Sequence, residues 1–367
     1  MSAKGSPASA RVVAAFCATV LLAGCSAFEA ADYYWQGAAG QLEILSRAKP
    51  IADVIDSSDD AALRARLTRV QDIRHYASRE LALPDNASYT RYSDLGRSFV
   101  VWNVFAAPPL SLTARQWCFP VAGCVNYRGY FNEADALAEA ARMAAAGDDV
   151  WVSGVPAYST LGYFDDPVLS TFVRWPETEV ARMVFHELAH QVVYVKDDST
   201  FNESFAVTVE EEGLRRWLKA QDDAKLDAQF VRSEKLREVF RTLTASAREQ
   251  LQALYASPAS DTDKRAGKAE ILARMRTEYE GAKAGAPGLA GYDRWFAGRD
   301  NAGPNNASLV SVALYTKQVP AFRAVLAEVN GDLPRFYERV REIGQLAKAE
   351  RDATLAAALQ GAVHARQ

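Results

Sequence analysis

Basic clusters, internal repeats and low-complexity segments are all missing from this chain of 367 residues. Its 42 Lys and Arg residues are outnumbered by 46 Asp and Glu residues, which gives a formal net charge of −4. A nucleic-acid partner needs a concentrated positive surface, so the sequence argues against one. The composition is that of an ordinary globular protein, since 49% of the residues are hydrophobic and 24% are charged.

Long apolar runs are also missing. After the first 25 residues, no apolar stretch is long enough to span a bilayer. The first 25 residues have the order of a signal peptide, with Lys4 and Arg11 ahead of an apolar stretch at 12–23. The stretch ends in LAGC, which resembles the lipobox of bacterial lipoproteins. That resemblance implies removal of residues 1–24 and lipidation of Cys25. The alternative is a plain secretory signal with a chance cysteine.

The residue after the lipobox cysteine is Ser26 rather than aspartate. By analogy with lipoprotein sorting, this favours the outer membrane. We therefore expect a soluble body that faces the periplasm and is tethered to the membrane through its amino-terminal lipid.

Cysteine is scarce, with four residues in the whole chain. Cys17 lies within the signal peptide and Cys25 is the lipidation site, so Cys118 and Cys124 remain. In an exported protein this pair is predicted to form a small loop-closing disulfide, and the alternative is two buried free thiols. A zinc knuckle would need a second pair.

The spacing of apolar residues divides the mature chain into three parts. Residues 25–95 are predicted to be a helical segment, residues 96–225 a mixed core, and residues 226–367 a helical subdomain that packs on the core. The core has three strand-like segments, at 97–106, 124–131 and 149–155. A helical stretch at 133–145 lies between the second and the third. The predicted class is α+β and predominantly helical, with a small mixed sheet.

Histidine is scarce too, yet two of the four stand together in HELAH at 186–190. On a helix His186 and His190 project from one face, one turn apart, which is a spacing at which both can bind one Zn²⁺. Glu187 stands beside them and can accept a proton from a water that the metal activates. The alternative is a hydrogen-bonded histidine pair on a core helix, but a chance HExxH is rare in a chain with so few histidines.

A catalytic zinc site takes a third protein ligand. The metzincin extension would need Gly and His at the positions of Val193 and Lys196, so that class is excluded. His75 and His364 lie far away in unrelated patterns. Glu203, in FNESFA at the start of a second predicted helix, is the best candidate. Its alternative role is to favour the helix amino terminus through its negative charge.

A His-His-Glu set with its Glu on a following helix resembles the gluzincin metallopeptidases. Several gluzincins place an acidic residue four positions past the ligand Glu, where it orients a ligand His. Val207 occupies that position here. Glu210, seven residues past Glu203 on the same helix face, is a candidate for the role, and the alternative is a solvated glutamate in the acidic run 210–212.

Four segments are similar to a family of proteobacterial lipoproteins described as predicted zinc aminopeptidases. They are WCFPVAGCVNYRGYF (117–131), SGVPAYSTLGYFDDPVLSTF (153–172), VFHELAHQVVYVKDDSTFNESFA (184–206) and NNASLVSVALY (305–315). The resemblance implies a zincin-like (gluzincin) catalytic core at 96–225 with an active-site helix, one Zn²⁺ ion and peptide hydrolysis. The third segment carries the specific chemistry.

Hydrolysis also needs a hydrogen-bond donor for the oxyanion. Tyr158, Tyr163 and Tyr315 are candidates, each with the alternative of a core aromatic residue. Asp165 and Asp166 are candidates to hold the amino terminus of a substrate, although capping of their loop is the simpler interpretation.

The sequence thus predicts a lipid-anchored zinc peptidase, an aminopeptidase acting on peptides in the cell envelope, with Glu187 as general base. The same chemistry fits an endopeptidase or a peptidoglycan-peptide hydrolase. A hypothesis from another class is a non-catalytic envelope scaffold that keeps the fold, and the intact Glu187 argues against it. The sequence leaves the oligomeric state open.

Overall fold

The computed structural model describes residues 33–119, 123–157 and 159–364 and divides into two units between Arg47 and Ala48. The first unit contains helix α1, residues 33–47. The second contains every other described element. The predicted signal peptide at 1–24, the lipidation site Cys25 and the candidate Tyr158 lie outside the described residues.

The second unit is mainly helical, as the sequence predicts, and contains short strands. Its helices are α2 (Ile51–Ser57), α3 (Ala61–Glu80), α4 (Glu133–Ala145), α5 (Glu177–His190), α6 (Ser199–Gln221), α7 (Ala224–Ala256), α8 (Asp261–Gly285), α9 (Asp293–Ala297), α10 (Asn306–Thr316), α11 (Val319–Glu328), α12 (Leu333–Gln345) and α13 (Lys348–His364), with 3-10 helices at Pro287–Tyr292 and Arg299–Asn301. Its strands are β1 (Lys49–Pro50), β2 (Arg91–Ser93), β3 (Val101–Ala107), β4 (Trp117–Phe119), β5 (Gly123–Val125), β6 (Arg128–Tyr130), β7 (Asp149–Val155) and β8 (Val168–Leu169).

The largest sheet is antiparallel and has the order β6-β3-β7. Strands β3 and β7 pair along their whole length, from Val101 opposite Val155 to Ala107 opposite Asp149. Helices α4 and α10 pack against these two strands. The predicted helix at 133–145 and the predicted strand at 149–155 are confirmed.

The strand predicted over 124–131 is wrong as a single element. Its first part is β5, which pairs with β4 in a hairpin, and its second part is β6, which pairs with β3 in the larger sheet. The chain changes partner at Asn126 and Tyr127, just after Cys124, which is bonded to Cys118 on β4. A continuous run of strand-forming residues cannot reveal such a change of partner.

Helices α5 and α6 pack against each other, and they carry most of the residues that the sequence singles out. Every residue at 184–190 of α5 is buried. Helix α6 begins after Asp198, whose side chain accepts the backbone N–H of Phe201 at 3.2 Å. It ends at Asp222, which adopts the left-handed conformation with a φ of 50°.

The carboxyl-terminal helices contact this pair in several places, and α10 packs against α6. Helix α7 packs against α5, and α11 packs against both α6 and α13. Asp198 also accepts hydrogen bonds from Arg351 at 2.8 Å and from Lys348 at 3.1 Å, both on α13. Helix α13 is thereby tied to the start of α6. None of the described helices combines the length and the hydropathy that crossing a lipid bilayer requires.

Candidate metal centre

Three buried side chains of the described part of the chain, those of His186, His190 and Glu203, converge on one point. The Nε2 atoms of the two histidines lie 3.2 Å apart. Glu203 Oε2 lies 3.3 Å from His186 Nε2 and 3.7 Å from His190 Nε2. One ligand atom from each residue lies within 4.8 Å of the others, so the group could hold a metal ion.

The loop between α5 and α6 places Glu203 opposite the histidines. The side-chain amide of Asn202 accepts the N–H of Val195 at 2.7 Å and donates to the carbonyl of the same residue at 2.8 Å. Asn202 is 2% exposed, so both bonds are shielded from water. The Asn of the Asn-Glu pair therefore fixes the loop, while the Glu faces the histidines.

The disulfide hairpin β4-β5 packs against this same loop. Cys118 is bonded to Cys124, and the backbone N–H of Cys124 donates to Asp197 Oδ1 at 2.5 Å. Gly123 has a φ of +74°, and a Cβ there would lie only 2.3 Å from the same oxygen, so the contact needs glycine. The cysteine pair thus helps to shape the loop that leads to Glu203.

Glu210 is buried and contacts His186 from the side opposite to Glu203. Its Oε2 lies 2.7 Å from His186 Nδ1, and its Oε1 accepts from Arg182 Nη1 at 2.9 Å. The other arm of Arg182 donates to Glu234 of α7 at 2.7 Å. Glu210 is thus a hydrogen-bond partner of a candidate metal ligand rather than a solvated glutamate. In contrast, His190 Nδ1 is buried without a hydrogen-bond partner within the described residues.

The charges of the group favour a cation at its centre. Burial alone would lower the pKa of His186, but contacts with Glu203 and Glu210 outweigh it and raise the pKa well above its usual value. Burial alone would raise the pKa of Glu203, but His190 and His186 lower it on balance. Burial lowers the pKa of His190 to about 4, so this imidazole is neutral at pH 7 and has a lone pair free for a metal.

Glu187 lies one residue after His186 and is 6% exposed. Burial raises the pKa of its carboxyl to about 8, and the negative charges of Glu203, Asp166 and Glu210 act in the same direction. The positive charge of His186 opposes them. Glu187 is not one of the three candidate ligands, so its carboxyl remains available to exchange a proton with a bound molecule.

The three candidate tyrosines have different outcomes. The ring of Tyr315 lies 6.4 Å from the ring of His186 and packs with Tyr127 against Phe105. Burial raises the pKa of Tyr315 well above its usual value, so its hydroxyl remains a hydrogen-bond donor. Tyr163 is 73% exposed on a loop, which the structure does not bury with the histidines. Tyr158 lies outside the described residues.

The two candidate aspartates separate as well. Asp165 is exposed, whereas Asp166 is 4% exposed. Asp166 Oδ2 accepts the backbone N–H of Thr160 at 2.8 Å, so it caps its loop as the simpler interpretation states.

Sequence reasoning missed the roles of Asn202, Asp198 and Arg182. The one available signal was for Asp198, an aspartate that stands just before a predicted helix, where it is a favoured capping residue.

Replacing Glu210 by Gln should weaken metal binding roughly 10–100-fold, because the amide carries no charge to hold His186 and loses its ion pair with Arg182. Competition against a chromophoric chelator measures the affinity. The matched control is Glu212→Gln, because Glu212 is on the same helix but pairs with Arg215 at 2.6 Å. Equal affinities of the two variants would mean that Glu210 has no part in holding the metal.

Comparison with known families matches residues 32–355 to the family described as "Putative aminopeptidase". No curated protein and no solved structure matches the chain. The family match spans most of the sequence and includes α5 and α6 with all of the side chains described above. This chain therefore belongs to that aminopeptidase family.

Proposed function

We propose that this protein is a zinc aminopeptidase that removes amino-terminal residues from peptides in the cell envelope. The observation that supports this most is the buried group of His186, His190 and Glu203. Glu187 lies on α5, the helix that carries the two histidines. The family match supports peptide hydrolysis. The lipobox-like motif at 22–25 supports an envelope location with Cys25 lipidated, which the mass of the mature amino-terminal peptide tests.

The residues of the group fit a zinc ion. Two imidazoles and one carboxylate are a common protein ligand set of catalytic zinc, and three protein ligands leave a position for a reactant. In the metal-free protein His186 Nε2 faces Glu203 and Nδ1 faces Glu210. A zinc ion would take the place of the proton on Nε2, while Nδ1 would keep its contact with Glu210. Structural zinc sites usually have four protein ligands, often cysteines, and the two cysteines of the described region are joined to each other.

Zinc bound by this group would supply Lewis acidity, which polarises the scissile carbonyl and lowers the pKa of a water to about 7. Glu187 accepts the proton of the attacking water and passes it to the leaving amine. Tyr315, whose hydroxyl remains protonated, is the donor proposed for the developing oxyanion. Glu210 and Arg182 hold His186 in one orientation throughout.

Removal and return of the metal tests this proposal. The purified protein is expected to contain about one zinc ion per chain and to cleave aminoacyl-fluorophore substrates. Dialysis against a chelator should abolish cleavage, and one equivalent of Zn²⁺ should restore it. A protein that carries zinc but cleaves no member of a broad peptide panel would be a scaffold, and the proposed function would be wrong.

A further inference from the structure

Asp166 is a buried carboxylate with no cationic partner among the described residues. It is 4% exposed, and its side chain is held by Thr160, whose backbone N–H donates to Oδ2 at 2.8 Å. Burial raises the pKa of this carboxyl to about 6, so its negative charge at neutral pH is unfavourable for the fold. A neutral Asn would accept the same N–H without that disadvantage. Capping of the loop therefore explains why residue 166 has an acceptor oxygen, but it does not explain why that residue carries a negative charge.

The loop that carries Asp166 lies along the face of α5 to which Glu187 belongs. Gln191 follows Glu187 by four residues and so shares its face. Gly162 of the loop lies against Gln191, where an added Cβ would be 3.6 Å from Oε1. Arg182 and His186 share a different face of α5, where Glu210 binds both.

Two further contacts fix the loop in this position. The backbone N–H of Tyr89 donates to the carbonyl of Asp166 at 2.6 Å. The side chain of Gln191 joins the same segment, because its Oε1 accepts from Asn86 at 2.8 Å and its Nε2 donates to Ser88 at 3.2 Å. The negative charge of Asp166 is one of those that raise the pKa of Glu187. The loop thus holds Asp166, which has no cationic partner among the described residues, on the side of α5 to which the proposed general base belongs.

The other carboxylates that act on Glu187 already have positive partners. Glu203 and Glu210 both contact His186, whose pKa is raised, and Glu210 also pairs with Arg182 at 2.9 Å. Asp166 has no such partner within the described residues. A cation that belongs to the substrate would complete the charge balance there.

We propose that Asp166 binds the α-ammonium group of the peptide substrate and so directs cleavage to the amino-terminal bond. This inference rests on the proposed function and names the group that the site recognises. The α-amino group of a peptide is largely protonated at pH 7, and a buried carboxylate binds it far better than it binds a neutral acetamide. Specificity then comes from the Asp166 charge that is otherwise uncompensated.

Cleavage of matched peptides tests the anchor. The full-length zinc-loaded protein is assayed on one peptide with a free amino terminus and on its N-acetyl form. We expect Asp166→Asn to lower kcat/KM for the free peptide roughly 10–100-fold and to leave the slow cleavage of the acetylated peptide unchanged. Asp165→Asn is the matched control, since this neighbour is exposed and its variant should keep the wild-type ratio.

A binding measurement gives a second readout that does not depend on turnover. In a Glu187→Gln background, calorimetry should show tighter binding of the free peptide than of the acetylated one, and Asp166→Asn should remove that difference. Zinc content and thermal melting report whether the variants fold, and Asp166→Ser, which also keeps an acceptor oxygen, replaces Asp166→Asn if that variant melts early.

The outcomes separate the anchor from the peptidase activity. An unchanged preference for the free peptide in Asp166→Asn, or equal cleavage of both peptides by the wild type, would overturn the anchor and leave a peptidase. If the wild type cleaves neither peptide, the proposed function fails, and the ratio of the two binding constants still decides whether Asp166 recognises an ammonium group.

Discussion

Replacing Glu187 by Gln is expected to lower kcat/KM for aminoacyl substrates about 10³-fold while the metal stays bound. Gln has nearly the shape of Glu, so the packing of α5 should not change. Its amide cannot accept a proton from the attacking water. Because Glu187 stands outside the group that could hold the metal, removing its charge leaves every proposed ligand in place.

The environment of Glu187 suits a base that works near neutral pH. Burial raises the pKa of its carboxyl to about 8 in the metal-free protein, and the nearby charges of Glu203, Asp166 and Glu210 add to the effect. A divalent ion beside it would lower the pKa again.

Metal analysis and steady-state kinetics on the same preparation check this prediction. Asp165→Gln alters an exposed carboxylate instead and should retain wild-type kinetics and zinc content. If Glu187→Gln kept its activity, the base would lie elsewhere. If it lost zinc together with activity, Glu187 would act as a ligand, which the arrangement of His186, His190 and Glu203 argues against.

The sequence predicted the two histidines because their relation is local. A spacing of four residues places two side chains on one helix face whatever surrounds the helix. Glu203 was harder to predict, since its position depends on the loop that Asn202 holds in place. Glu210 stayed open between two interpretations, because periodicity gives the face of a helix but not what covers that face.

Features that depend on distant segments could not be predicted at all. Arg182 binds Glu210 and Glu234, which follow it by 28 and 52 residues. The division of 124–131 between two sheets depends on a disulfide and on pairing with β3. Strands β1, β2 and β8 have two or three residues each, too few to show an alternating pattern. The sequence therefore predicts the candidate residues of the site, whereas the residues that pack around them depend on the tertiary structure.

Among the residues that pack around the candidate site, Arg182 has the largest expected effect on the free energy of unfolding. It is 8% exposed and joins α5 to α6 through Glu210 and to α7 through Glu234. Arg182→Met would remove the guanidinium partner of the buried Glu210, which would keep only His186, whereas Glu234 would still pair with Arg237 and Arg241. Removing one partner of a buried ion pair costs about 3–5 kcal/mol, so the free energy of unfolding should fall by that amount.

Urea unfolding of the metal-free protein measures the loss, and two further variants assign its cause. Arg174→Met breaks an exposed pair with Asp60, which solvent screens, so the free energy of unfolding should fall far less than in Arg182→Met. Adding Glu210→Gln, alone or together with Glu234→Gln, to Arg182→Met should recover much of the lost stability, because the buried charge of Glu210 that lost its guanidinium partner is then gone. If Arg182→Met cost no more than Arg174→Met, the network would not stabilise the fold. If the added substitutions recovered nothing, the loss would come from packing around the Arg182 side chain rather than from its charge.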